Sequence, residues 1–486
     1  MPRPGGILLT NPVTQAQPPL EFIKPEFNPL VYKTTQLLQP AWLRWRAKIA
    51  DVEVSNPEVL VELYRQFQEG KIRFMMAFRH PSTNDPLCMN YLLSNYLGKV
   101  AKQKGVKLQH PVHAHFIYDR GIPLWAGKGV GWYYSQMGCT PIRRGRVDLV
   151  GLRAIRQLFA SGQFPMAAAP EGATNGHNEI MSPIEPGIAQ FGFWCIEDLL
   201  KAGRSQQVMI LPIGLQYHYL STPWEAIANL LTQLEADSGV PPCSDAELKL
   251  EAEQEGMVLD GLSDPQQAIL YKRLIRLGEH LLPLVEKFYT KFYHQDLTLS
   301  KQSISSEPVL FATNQNLADR LQVLMNAALN VAEQHFAIAP KGTITDRCRR
   351  LEQAGWDWIY RDDLKNIENL SPVEKGLADR IAEETSLRLW HMRLVESFVS
   401  VTGQYVIEKP TGDRFAEILL IFWDMVTRIK GEVPFPRPQL GTQGLKITIG
   451  QPLSVSDRWE SYQTSRRQAV AGLTQDLQTT LEEMIF

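Results

Sequence analysis

The run Ile72-Arg-Phe-Met-Met-Ala-Phe78 is the first of four short apolar stretches, followed by Val112–Tyr118, Pro165–Ala169 and Val208–Tyr217. Helical patterns alternate with them at Pro86–Gln103 and Val147–Ser161, and Pro183–Ala202 supplies another. Alternation of this kind predicts an α/β domain built on a mixed or parallel sheet. Open sheets of that class place their sites beyond the carboxyl ends of the strands. His80 stands just past the first run, so the alternation alone puts it at that edge.

His80 and Asp85 are five residues apart in Phe-Arg-His80-Pro-Ser-Thr-Asn-Asp85-Pro. A histidine titrates near neutral pH and can take a proton from a hydroxyl. A nearby carboxylate fixes its tautomer and stabilises its protonated form. The spacing also fits a plainer role, with Asp85 as a helix N-cap and Pro86 in the first turn. Three further blocks follow in order: Gly138-Cys-Thr-Pro-Ile-Arg143-Arg144-Gly-Arg146, Ala169-Pro-Glu171-Gly172-Ala-Thr174 and Ile210-Leu-Pro212-Ile-Gly214. Glu185-Pro-Gly-Ile-Ala189 lies between the last two.

In these blocks the chain resembles the glycerolipid acyltransferase family that includes the lysophosphatidic acid acyltransferases. That family carries His-x-x-x-x-Asp, Gly-x-x-Phe-Ile-x-Arg, Glu-Gly-Thr and an apolar strand with a central proline, in this order. The resemblance implies His80 as general base and Asp85 as its partner. Arg144, with Arg143 and Arg146 beside it, falls to the phosphate of the acceptor, because a guanidinium donates two parallel hydrogen bonds. A solvated basic loop is the alternative there. Glu171 and Gly172 would shape the acceptor site, or form only a tight turn. Pro212 reads as structural. Three positions depart from the family: Pro141 stands for Phe, Ala173 for Thr, and Thr174-Asn175 where Arg-Ser is common. These leave the acceptor less defined than the catalytic step.

The implied activity is transfer of a fatty acyl group from acyl-CoA or acyl-ACP to a lysophospholipid hydroxyl, with lysophosphatidate giving phosphatidate. Glycerol 3-phosphate, another lysolipid or a plain alcohol are alternative acceptors. A thioesterase and a non-catalytic lipid-binding scaffold are the alternatives of other kinds. No Gly-x-Ser-x-Gly elbow offers a nucleophile. No cofactor is expected beyond the acyl thioester. His113 and His115 share a strand face near His110, but no cysteine or carboxylate at ligand spacing joins them, so no metal is expected. Lys128 between Gly127 and Gly129 reads as a plain turn as readily as a phosphate loop.

The formal charge of −2 gives no nucleic-acid footprint. The five cysteines are scattered, with no Cys-x-x-Cys, and read as thiols in a reducing compartment. The amino terminus lacks a signal-peptide pattern, and no run reaches the ~20 apolar residues of a span. The expected location is therefore cytoplasmic, at the periphery of a membrane. Leu37–Ile49 mixes Trp and Leu with Arg and Lys. It fits an interfacial helix and a helix packed on the domain equally well.

After residue 220 helical periodicity takes over, at Gln266–Tyr293, Asn314–His335, Val373–Val406 and Arg414–Lys430, with a loop near Leu297–Pro308. Its Trp356, Trp358, Trp390 and Trp423 read as core. Gly444–Ser454 then reads as a strand and turn, and Tyr462–Phe486 as a closing helix. The expected organisation is an N-terminal arm and amphipathic helix (1–70), a first core part (71–220), a helical insertion (221–439) and a closing core part (440–486). The resulting fold class is α/β, a glycerolipid-acyltransferase-like mixed sheet with helices on both faces, interrupted by a large all-helical insertion.

Overall fold

A computed structural model describes residues 13–143, 147–174, 176–254, 265–297, 309–396 and 405–485. Arg144, Arg146, Asn175, most of the loop expected at 297–308 and the first twelve residues lie outside these. The contacts divide the chain into two units, one of residues 20–220 with 442–486, the other of residues 1–19 with 221–441.

The first unit is an α/β unit on a mixed, mostly parallel sheet. Its strands are β1 (Ile49–Ser55), β2 (Ile72–Phe78), β3 (His115–Asp119), β4 (Thr140–Ile142), β5 (Met166–Ala168), β6 (Gln207–Tyr219), β7 (Gln443–Ile449) and β8 (Leu453–Ser454). They lie in the order β1-β7-β6-β2-β5-β3-β4, with β8 also on β6. β6 runs parallel to β2 and antiparallel to β7 and β8. β2, β5, β3 and β4 run parallel to one another.

Every residue of β2 is buried because both faces of the sheet are covered. Phe74, Met76 and Phe78 point into a core shared with the helices Pro29–Trp45, Pro57–Gln68 and Asp85–Tyr91. Met75 and Ala77 point into a second core with the helices Leu149–Ser161, Gly187–Lys201 and Arg466–Glu482. The period-two alternation of a strand supplies both cores at once. Burying each large apolar side chain contributes about 1.5–3 kcal/mol, before the entropy of ordering is set against it.

Pro212 is compatible with the interior of β6 for a local reason. Met209 and Ile210 pair with β8, and pairing with β7 begins at Ile213. The missing N–H of the proline falls where β6 changes partner. The helical run expected from Pro86 to Gln103 is a succession of Asp85–Tyr91, a π-helical stretch Leu92–Leu97 and Gly98–Gln103. The closing helix is broken at Ser465 into Trp459–Thr464 and Arg466–Glu482.

β1 and the helix Pro57–Gln68 fall within the stretch that the sequence reading left outside the core. β1 nevertheless pairs in parallel with β7 and forms one edge of the sheet. An edge strand can carry charges, and this one carries Asp51 and Glu53, which break the apolar pattern of a strand.

The second unit is helical in its described residues. It holds Trp224–Ser238, Asp245–Gln254, Pro265–Tyr293, Val309–Phe336, Ile344–Ile359, Pro372–Glu396, Tyr405–Glu408 and Gly412–Ile429, with two short 3-10 turns. A capping box at Thr343 and Asp346 starts Ile344–Ile359. Trp356 is buried, but Trp358 is exposed, lying against His335 and Phe336, which corrects its reading as core.

Candidate active site

The site is built where parallel strands end. β2 finishes at Phe78, and the Arg79 N–H still continues the ladder by donating to Ile213 O at 3.0 Å. The chain then turns at His80 and re-enters a helix at Asp85. His80 Nδ1 donates to the carboxylate oxygen Asp85 Oδ2 at 2.9 Å. The Asp85 side chain is fully buried, whereas that of His80 keeps 19 % of its surface.

Asp85 is not the N-cap that its spacing also allowed. Asn84 holds that position, and Asp85 is the first helical residue. Its carboxylate takes the Ser82 N–H at 2.8 Å and the Tyr217 hydroxyl at 2.5 Å instead. Burial, and then the charge of Asp85, push the Tyr217 phenol well above its ordinary pKa, so it remains a donor. With Nδ1 engaged, Nε2 is the nitrogen of His80 that can accept a proton. Cys88 lies behind the pair, 3.4 Å from the Tyr217 hydroxyl. Burial raises the pKa of its thiol, which makes it a packing group and no nucleophile.

Glu171 follows the end of β5, the strand beside β2. It is buried, and its carboxylate accepts the His80 N–H at 2.7 Å and the Ser182 N–H at 3.1 Å. Burial raises its pKa against those two N–H groups and the nearby positive charge of Arg79. Gly172 next to it has φ +75°, a conformation that favours glycine and lets the loop turn at once. Arg79, almost wholly buried, ties the same loop down by donating to Asn178 O at 2.7 Å and Ile180 O at 3.1 Å. Asn178 Oδ1 accepts the Tyr217 N–H at 2.8 Å. The loop after β5 is thus strapped to both the histidine turn and β6.

Arg143 follows the end of β4, at the same edge of the sheet. Three strand spacings separate β4 from β2, about 14 Å. Its backbone N–H donates to Asp148 Oδ2 at 2.9 Å, and its residue is largely buried. Asp148 also pairs with Arg120 and caps Leu149–Ser161 through the Gly151 N–H at 3.0 Å. The structure therefore joins His80, Asp85 and Glu171 directly, and sets Arg143 further along the same edge. Arg144 and Arg146, the other arginines of that block, are outside the described residues.

His113 and His115 anchor the second block. His113 Nε2 meets Met137 O at 2.7 Å, and His115 Nδ1 meets Gly138 O at 2.7 Å. Burial lowers the pKa of His113 to about 4 and lowers that of His115. Lys128 opens the helix Lys128–Gln136 rather than sitting within a loop. Tyr217, Arg79, Asn178 and Ser182 were not singled out from the sequence. Only Arg79 carried a signal, as a charge at the end of an apolar run.

Compared with protein-family models, with curated proteins and with solved structures, the chain finds no match.

Proposed function

We propose that the chain is an O-acyltransferase that carries a fatty acyl group from an acyl thioester, on coenzyme A or acyl carrier protein, to a lysophospholipid hydroxyl. Lysophosphatidate, giving phosphatidate, is the first choice of acceptor. The observation that carries this reading is the 2.9 Å contact of a part-exposed His80 with a buried Asp85 at the carboxyl edge of a parallel strand. On this reading the mixed sheet is of the glycerolipid-acyltransferase type.

The acceptor hydroxyl gives its proton to His80 Nε2 as its oxygen attacks the thioester carbonyl. Asp85 holds the imidazolium that forms. The tetrahedral intermediate collapses, the carbon–sulfur bond breaks, and the departing thiolate takes the proton back from His80. General-base help of this kind contributes about 10²–10⁴ in rate. Arg143 and Arg144 serve the acceptor phosphate. Glu171 and Gly172 set the shape of the acceptor side by fixing the loop against His80.

A lipid substrate also calls for a way onto a bilayer. No helix among the described residues is long and apolar enough to cross one. The helix Pro29–Trp45 buries Tyr32, Gln39 and Leu43 on one side. Leu30, Leu37, Leu38, Trp42 and Trp45, on the other side, are between 56 and 79 % exposed. Lys33, Arg44, Arg46 and Lys48 accompany them, and no acidic residue occurs from Pro29 to Lys48. This stripe suits insertion at an anionic interface.

The test is transfer from labelled acyl-CoA and acyl-ACP to a panel of acceptors in anionic vesicles and in monomeric form. Wild type should form phosphatidate and folded His80→Ala should not. A Trp42→Glu/Trp45→Glu double variant should lose transfer on vesicles while keeping it on monomeric acceptor. Product formed equally by His80→Ala would sink the base role. Hydrolysis without transfer would move the reading to a thioesterase, and no product with either donor would move it to a lipid-binding scaffold.

A further inference from the structure

The helical unit contains a cavity of about 150 Å³. Its wall is hydrocarbon almost throughout, and Leu, Ile, Val, Met, Ala and Phe supply most of it. Two of its tyrosine hydroxyls are already engaged. Tyr289 shares a hydrogen bond with His391 Nδ1 at 2.9 Å, and Tyr405 donates to Glu417 Oε2 at 2.6 Å. Protein interiors are close-packed, and voids larger than a water are few. A space of this kind with so little polar surface does not suit water, which needs two to four polar partners.

The shape narrows the occupant. One wall runs along Pro265–Tyr293 from Tyr271 to Tyr289, about 27 Å of helix. Residues from Val309–Phe336 and Gly412–Ile429 line the other sides. Gly278, half-way along the first wall, leaves room in front of Phe422, whose ring a Cβ there would meet at 3.4 Å. A single water needs about 10–15 Å³ of such space, so the cavity holds about ten water-sized units. A methylene is close to that size. The slot therefore suits a flexible unbranched chain better than a fused ring system or a peptide helix.

We infer that the helical unit binds one alkyl chain, that of a fatty acid or a fatty acyl thioester, in this cavity. The site lies wholly within the helical unit, and the inference stands whether or not the α/β unit transfers acyl groups. The binding assay needs no turnover, so its failure and the failure of the transfer reading are separate results.

Ala328 and Ala318 both line the cavity. Ala328→Leu and Ala318→Phe each add hydrocarbon to the wall, the first at a buried position and the second at a half-buried one. The full chain would be titrated with the fluorescent fatty acid cis-parinaric acid, and folding followed by circular dichroism. Wild type should show a saturable site that each variant weakens at least tenfold while keeping its helicity. If one variant does not fold, the other decides. Competition by palmitate, palmitoyl-coenzyme A and palmitoyl lysophosphatidate then distinguishes the sources of the chain. Unchanged fatty-acid binding in a folded variant would overturn the inference, as would a wild type that binds benzene but no chain.

Discussion

His80, in the α/β unit, donates its Nδ1 proton to a carboxylate and keeps 19 % of its side chain exposed. His391, in the helical unit, shares a hydrogen bond with the Tyr289 phenol and is buried. Both rings have an oxygen 2.9 Å from Nδ1, yet their chemistry differs. Desolvation disfavours the charged form of His391, and its pKa falls to about 4. It is neutral near pH 7, and no ion pair among the described residues would hold a positive charge on it. His80 has both a carboxylate behind it and an open side in front. What makes a histidine a candidate base is therefore the charge of its partner together with access, not the presence of a hydrogen bond.

Removing each partner in turn is the strongest way to break this contrast. Asp85→Asn should keep the fold and lower acyl transfer by about 10²–10⁴, because an amide can hold neither the tautomer nor the charge. His391→Leu should leave transfer intact and lower stability by about 1–3 kcal/mol, since it strands the Tyr289 hydroxyl in the interior. Steady-state rates and urea midpoints on both variants check this. Equal losses of rate in the two would erase the distinction.

The buried histidines should instead be visible in the dependence of stability on pH. His113 in the α/β unit and His391 in the helical unit both have pKa values lowered to about 4 by burial. An unfolded histidine titrates near 6.5, so the unfolded chain binds more protons between the two values. Stability from these sites is complete above about pH 6.5 and is lost as pH falls toward 4. At pH 5 the expected loss is about 2 kcal/mol for each ring. Urea midpoints at pH 7 and 5 should differ, and His391→Leu should shrink the difference. A midpoint independent of pH over this interval would contradict burial of these rings as neutral groups.

The two units also differ in how far their sequences could be read. The bounds of β2, Ile72 and Phe78, are legible because an apolar run, interrupted only by Arg73, ends at Arg79. β3 begins at His115 rather than Val112, because pairing with β5 starts only at His115 and Met166. β1 has no clear strand pattern because an edge strand tolerates Asp51 and Glu53. In the helical unit, periodicity located the long helices near Pro265–Tyr293 and Gly412–Ile429. Nothing in that periodicity shows that their apolar faces line a cavity, which depends on how five helices meet. At the candidate site, His80 and Asp85 were legible because they lie close together after an apolar run and head an ordered series of blocks. Tyr217, 132 residues beyond Asp85, was not, since only the parallel register of β6 on β2 brings it there.

Tyr217 gives the smallest and sharpest test of the contrast. Its ring is buried and its hydroxyl is one of three donors on a carboxylate with no exposed surface. Tyr217→Phe preserves the ring and removes only the oxygen. A hydrogen bond to a charged group contributes about 1.5–3 kcal/mol, but His80 and Ser82 still hold Asp85 in place. The fold should survive, and transfer should fall by about tenfold or less. With one donor gone, the carboxylate leans more heavily on His80, which favours the imidazolium. The acid limb of the pH–rate profile should then move to higher pH, a change that loss of packing alone would not produce. A profile that keeps its position while stability falls would make Tyr217 a core residue only, and would leave His80, Asp85 and Ser82 as the whole of the charge-holding set.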